Sequence, residues 1–296
     1  MAVKIGISTY WFQQKYGLLE ALELAREVGA DAVDIGLWWL DYRNKDSIYS
    51  KSDDEIWTYF TEAGKKAKQL GIEISQTHGR MRGYQNNPQE DMEVRENARR
   101  DCMATAALDA QVCVMHGAST NVLGLDIKAE QMRKINFDMF CDILCFAKTN
   151  NVQIATETLG DAPKFGCCSF FGDIGEFVES YQRICAVENN AKYFSVCVDT
   201  GHCNKAVKYN QPSSGDTIRR LGSSVSVLHL NDNDGMTDQH KLPLGGNIDW
   251  KDVLAALKEI NYNGVYNLEL NLKYFGAGME KNYARFAIEV MRNMLL

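Results

Sequence analysis

Residues Val225–Trp250 read VSVLHLNDNDGMTDQHKLPLGGNIDW. Val225, Val227 and Leu228 form an apolar, β-branched run that stops at a polar cluster, so Val225–Leu230 reads as a strand. His229 stands at that stop. After a Gly-containing loop, Asp238 and His240 occupy alternate positions of an extended segment and therefore point the same way. A helical pattern opens at Trp250. One strand–loop–helix unit thus gathers two imidazoles and several carboxylates at a strand end, and those donors suit a divalent metal ion.

The rest of the chain repeats this unit. Strand-like runs span Lys4–Ser8, Ala32–Gly36, Ile72–Thr77, Val112–His116, Gln153–Glu157, Phe194–Asp199 and Val265–Glu269, and their starts, with that of Val225–Leu230, lie 28 to 41 residues apart. Helical patterns lie between and after them, at Leu18–Val28, Asp53–Leu70, Asp91–Leu108, Ala129–Asn150, Asp173–Val187, Thr217–Leu221, Trp250–Ile260 and Lys281–Met294. Several close on the Gly or Asn expected at a helix C-terminus. Eight βα units in 296 residues predict a (β/α)8 TIM barrel rather than an open sheet, as one domain over residues 1–296.

Composition narrows the function. With 45% apolar and 24% charged residues the chain reads as globular. MAVKIGISTYWF lacks the basic and long apolar segments of a signal peptide, and no apolar run reaches the roughly 18 residues of a membrane span. The expectation is a cytoplasmic protein with no membrane partner. Nine cysteines without a Cys-x-x-Cys pair fit reduced thiols, among them the adjacent Cys167 and Cys168. A net charge of -7 argues against a nucleic-acid partner.

In a barrel of this kind, functional groups sit at the C-terminal strand ends. Here six consecutive apolar runs stop at His78, His116, Glu157, Asp199, His229 and Glu269, with His202 three residues after Asp199. All five histidines fall on this one rim. Placing so many polar groups together is unfavourable without an ion. Glu157, Asp199, His229 and Glu269 form the best single ligand set, and three carboxylates with one imidazole suit Mn2+, Mg2+, Co2+ or Zn2+.

The chain resembles the xylose-isomerase-like TIM-barrel superfamily, which holds sugar and sugar-phosphate isomerases and epimerases beside endonuclease IV-type abasic-site endonucleases. The matching segments are Thr77–Gly79, the MHG around His116, ATET around Glu157, VDTGH from Val198, HLNDND from His229, DQHKLP from Asp238, GNIDW from Gly246 and LEL around Glu269. For the isomerase branch the resemblance implies one divalent ion on Glu157, Asp199, His229 and Glu269. Glu157 and Glu269 would move a proton on opposite sides of a small polyhydroxylated substrate through an enediolate. His202 would polarise a substrate oxygen, and His78, His116 and His240 would bind hydroxyls. A dehydratase uses the same proton abstraction. For the endonuclease branch it implies three zinc ions: one on His78, His116 and Glu157, one on the four-residue set, and one on His202, Asp238 and His240. A third reading is a non-catalytic barrel that binds a ligand, against which the full ligand set argues. The family also implies a homo-oligomer, although no interface patch is evident.

The chain departs from the endonuclease pattern at Gly117, Ala118 and Ser119, where that branch carries Pro-Gly-Ser. The loops after the first two strands instead offer Tyr10, Trp11, Phe12, Trp38, Trp39 and Tyr42, with Arg43 and Lys45 nearby. Trp11, Phe12, Trp38 and Trp39 are expected to wall a sugar pocket, because aromatic faces suit apolar ring faces and exclude water. Gly245 and Gly246, after Leu244, replace a Gly-x-Gly seen in relatives and leave the next helix N-terminus free for an anion.

Overall fold

The computed structural model describes residues 3–296. Among the described residues ten strands occur: β1 Ile5–Ser8, β2 Ala32–Gly36, β3 Glu73–His78, β4 Val112–Met115, β5 Gln153–Glu157, β6 Asp161–Ala162, β7 Cys167–Cys168, β8 Phe194–Asp199, β9 Val225–His229 and β10 Tyr266–Leu268. Eight pair in parallel in the order β10-β1-β2-β3-β4-β5-β8-β9. One bridge, Leu230 to Leu268, joins the two ends, with Leu230 N–H donating to Asn267 O at 2.8 Å and Glu269 N–H to Leu230 O at 3.1 Å. The result is the expected (β/α)8 barrel. β6 and β7 form a separate antiparallel hairpin after β5.

The helices are α1 Tyr10–Tyr16, α2 Leu18–Glu27, α3 Asp53–Leu70, α4 Pro88–Ala107, α5 Thr120–Leu123, α6 Ala129–Asn150, α7 Ile174–Cys185, α8 Thr200–Ala206, α9 Ser214–Leu221, α10 Trp250–Glu259 and α11 Glu280–Met294. Local chemistry sets their ends. Ser52 and Glu55 form a reciprocal capping box before α3, and Asn151 takes a left-handed conformation after α6. No helix among the described residues is long and apolar enough to cross a membrane. All nine cysteines are unpaired thiols.

Three helices, α1, α5 and α8, are absent from the sequence reading. Residues 10–16 are α1, not a loop. A helix turns about 100° per residue, so Phe12 faces away from Tyr10 and is buried in the core. α8 follows β8 without a loop, capped by the Asp199 side chain. Strand ends also shift by one residue: His78 closes β3, while His116 and Glu269 stand just beyond β4 and β10.

Barrel alternation places the site. Val112, Val114, Ala155, Cys197 and Val227 form a small apolar cluster apart from the main core. Counting on by two along each strand gives His116, Glu157, Asp199 and His229. The period of two therefore carries the inward face of the sheet from an apolar floor to a polar rim.

Candidate metal centre

Glu157, Asp199, His229 and Glu269 bring one donor atom each within 4.8 Å of one another. The first three are essentially buried, and the Glu269 side chain is 18% exposed. His229 Nδ1 lies 3.3 Å from Glu157 Oε1 and 3.5 Å from Glu269 Oε2. His229 Nε2 faces Asp34 Oδ2 at 3.0 Å. With that nitrogen donating to Asp34, Nδ1 is left facing the carboxylates, where it would offer a lone pair to an ion on losing its proton. Glu157 Oε1 and His229 Nδ1 are both buried without a hydrogen-bond partner. An orphaned buried polar atom is destabilising by about 1–3 kcal/mol, more for a charged group. A divalent cation would satisfy both atoms, so the residues fit the ion that the donor chemistry implies.

Charge tells the same story. Burial pushes the Asp199 carboxyl up, and the neighbouring Glu157 and Glu269 charges add to it, to about 6. Burial opposes charge on Glu157 and Glu269 too, yet the surrounding imidazoles hold both below the usual carboxylate range. The Asp199 side chain is fixed by His202 N–H at 2.6 Å and by Asn231 Nδ2 at 2.8 Å.

The remaining histidines form two flanks. His78 and His116 direct Nε2 at Glu157 Oε2, at 3.4 and 3.0 Å. The set with mutually close donors is His78, Glu157 and His229, rather than His78, His116 and Glu157. On the other flank, His202 Nε2 and His240 Nε2 face Asp238 Oδ2 at 3.6 and 3.4 Å, and these three residues also have mutually close donors. His202 Nδ1 contacts Thr158 O and His240 Nδ1 contacts Glu269 O, at 3.0 and 3.1 Å, which turns both Nε2 atoms toward Asp238. Burial lowers the His240 imidazole, but Asp238 and Glu269 outweigh it and raise it to about 9.

The loop bearing Asp238 and His240 is tied down by Asp232. Its Oδ2 accepts Trp250 Nε1–H at 2.8 Å, its Oδ1 accepts Asn233 and Ile248 N–H, and its backbone pairs with Lys241. Gly246 is required by close approach, since a Cβ there would meet Asn233 O at 2.1 Å. The anion expected at the following helix has no place, because the Asp249 side chain already caps α10.

A cavity of about 270 Å³ opens beside Glu269, His240, His78 and Asp238. Tyr10, Trp11, Trp38 and Met81 supply its apolar wall, with Ser8 and Asn271. Of the four expected aromatics, Trp11 and Trp38 line it. Trp39 is a backing residue, packed 5.6 Å from Trp38 and 5.2 Å from Tyr10, and Phe12 is in the core. Trp11 is held by Leu270 O at 3.0 Å. The Trp38 loop is held by buried Arg80, which donates to Leu37 O and Leu40 O and forms a bidentate pair with Asp101. Cys167 and Cys168 belong to the β6–β7 hairpin and do not line this cavity. A larger surface groove, about 820 Å³ between α6 and the end of α7, contains none of the clustered ligands.

Sequence reasoning missed Asp34, Met81 and Asn271. Asp34 had a signal: it is the one charge in the otherwise apolar AVDIG run.

A profile described as xylose isomerase-like TIM barrel matches residues 22–294. The chain belongs to this family. It is 26% identical over 178 residues to the uncharacterized protein y4fM of Sinorhizobium fredii, a match covering 57% of this chain and 52% of that protein. The chain therefore spans about half the length of that curated relative. A D-tagatose 3-epimerase-like protein superposes with a TM-score of 0.70 at 22% identity, over 99% of this chain and 97% of that one. The IolI protein with a bound zinc atom gives 0.70 at 19% identity, over 99% and 96%. At these identities the likeness to the two solved structures is one of fold.

Proposed function

We propose that the protein is a divalent-metal-dependent isomerase or epimerase of a small polyhydroxylated substrate. The observation that carries this reading is the pair of carboxylates, Glu157 and Glu269, that share His229 Nδ1 at 3.3 and 3.5 Å beside a monosaccharide-sized cavity. A divalent ion on Glu157, Asp199, His229 and Glu269 supplies Lewis acidity that makes a C–H beside a carbonyl more acidic. Glu269 reaches the cavity wall and is held ionised by His229 and His240, as a general base must be. It takes the proton from the substrate carbon. Glu157, deeper in the barrel, returns one to the opposite face or the adjacent carbon. His202 orients the substrate oxygen, while His78, His116, Asp238 and His240 bind its hydroxyls. The aromatic wall of Tyr10, Trp11 and Trp38 covers the apolar face of the substrate and keeps water out. The fold shared with a D-tagatose 3-epimerase-like protein and with zinc-bearing IolI supports the same direction.

The test is solvent-deuterium exchange into ketoses, aldoses and inososes with Mn2+, Mg2+, Co2+ or Zn2+ added. Glu269→Gln is expected to abolish exchange while substrate binding persists; undiminished exchange removes Glu269 from the mechanism. A second reading, a trinuclear zinc phosphodiesterase acting on abasic DNA, draws on the His202–Asp238–His240 set. Three zinc ions per chain together with cleavage of an abasic duplex would establish it.

A further inference from the structure

We infer that the ammonium of Lys205 takes the place of a second metal ion beside the four-residue site, so that His202, Asp238 and His240 bind substrate rather than metal. The inference rests on the proposed single-ion site. Lys205 lies one helical turn after His202 on α8 and is 6% exposed. Its Nζ is 3.4 Å from Asp238 Oδ1 and 3.1 Å from Asp161 Oδ1. Asp161 is already engaged on its other oxygen by Lys208 Nζ at 2.7 Å.

Charge balance follows from these contacts. Two ammonium groups, Lys205 and Lys208, face two carboxylates, Asp161 and Asp238. A buried ammonium needs an anionic partner, and Lys205 cannot rely on Asp161 alone because that carboxylate also serves Lys208. Asp238 is in turn the only carboxylate in the His202–Asp238–His240 set. A divalent ion there would have two neutral imidazoles and one carboxylate whose charge is already matched. It would also sit one carboxylate away from a fixed positive charge. The four-residue site is the opposite case, with three carboxylates and no ammonium paired to any of them among the described residues.

Asp238 and His240 line the cavity, and Lys205 pairs with the Asp238 oxygen other than the one facing the imidazoles. That oxygen, Oδ2, and the imidazole edges are left for hydroxyl groups of an uncharged substrate.

The experiment is metal stoichiometry by native mass spectrometry and elemental analysis after incubation with excess zinc and desalting. Wild type and Lys205→Arg are expected to retain one ion per chain, and Lys205→Met two. A count of two or more in wild type overturns the inference without any variant. A folded Lys205→Met protein that still holds one ion overturns it as well. If Lys205→Met does not fold, Asp238→Asn decides: one ion is expected, as in wild type. A loss of an ion relative to wild type would make Asp238 a ligand and overturn the inference. A wild-type count of zero removes the four-residue site itself and, with it, the basis of this inference.

Discussion

The two ligand clusters use the same residue types and differ in how they are held. Glu157, Asp199 and His229 are the last residues of β5, β8 and β9, so neighbouring strands fix their backbones, and their side chains are buried. His202, Asp238 and His240 come from a short helix and a loop, and Asp238 is 41% exposed. The first cluster has a surplus of negative charge and orphaned donor atoms; the second is neutralised by Lys205. Rigid strand ends can hold donors in one geometry for an ion, whereas loop-borne donors suit a substrate that must enter and leave.

The largest expected effect separates the clusters directly. Asp199→Ala should remove bound metal altogether, with a count near zero by elemental analysis, because one of three anionic donors is lost. A retained ion would shift the metal to another set of residues. Asp34→Asn tests how the first cluster is oriented, through its 3.0 Å contact with His229 Nε2. Loss of such an orienting carboxylate weakens metal binding about 10–100-fold, measurable by competition with a chelating dye. Unchanged affinity with a lower Tm would make Asp34 purely structural.

Proton competition provides the smallest effect. Asp199 in the ion-free protein is raised to about 6 and must lose its proton to act as a ligand. The sign is therefore that affinity falls as the pH drops through that value, by about tenfold per pH unit for each proton exchanged. It goes on rising above that value because, against its burial, Glu269 and Glu157 raise the His229 imidazole, so that this ring must lose a proton too. Isothermal titration between pH 5 and 8 would show this. A flat profile would mean that Asp199 already carries its charge in the ion-free site.

Much of this was legible in the chain. The βα rhythm predicted the barrel, the polar stops on apolar runs named Glu157, Asp199, His229 and Glu269, and the second cluster was named by His202 three residues after Asp199 and by the Asp-x-His pair in the loop. Their convergence follows from strand alternation, since Ala155 and Glu157, Cys197 and Asp199, and Val227 and His229 share an inward face. The aromatic wall was read only in part. Trp11 and Trp38 are where an aromatic loop reading put them, but a helix from Tyr10 turned Phe12 into the core. An aromatic cluster in sequence does not reveal its own rotation.

By itself, then, the sequence determined the repeated unit and the donor types, because hydrophobic period and residue chemistry are local properties. Only the tertiary structure decided which donors lie within reach of one another. Asp34 meets His229 across 195 residues, and Lys205 meets Asp161 and Asp238 from three different segments. Closure of the barrel brings those charges together, and no local pattern encodes a distance between strands.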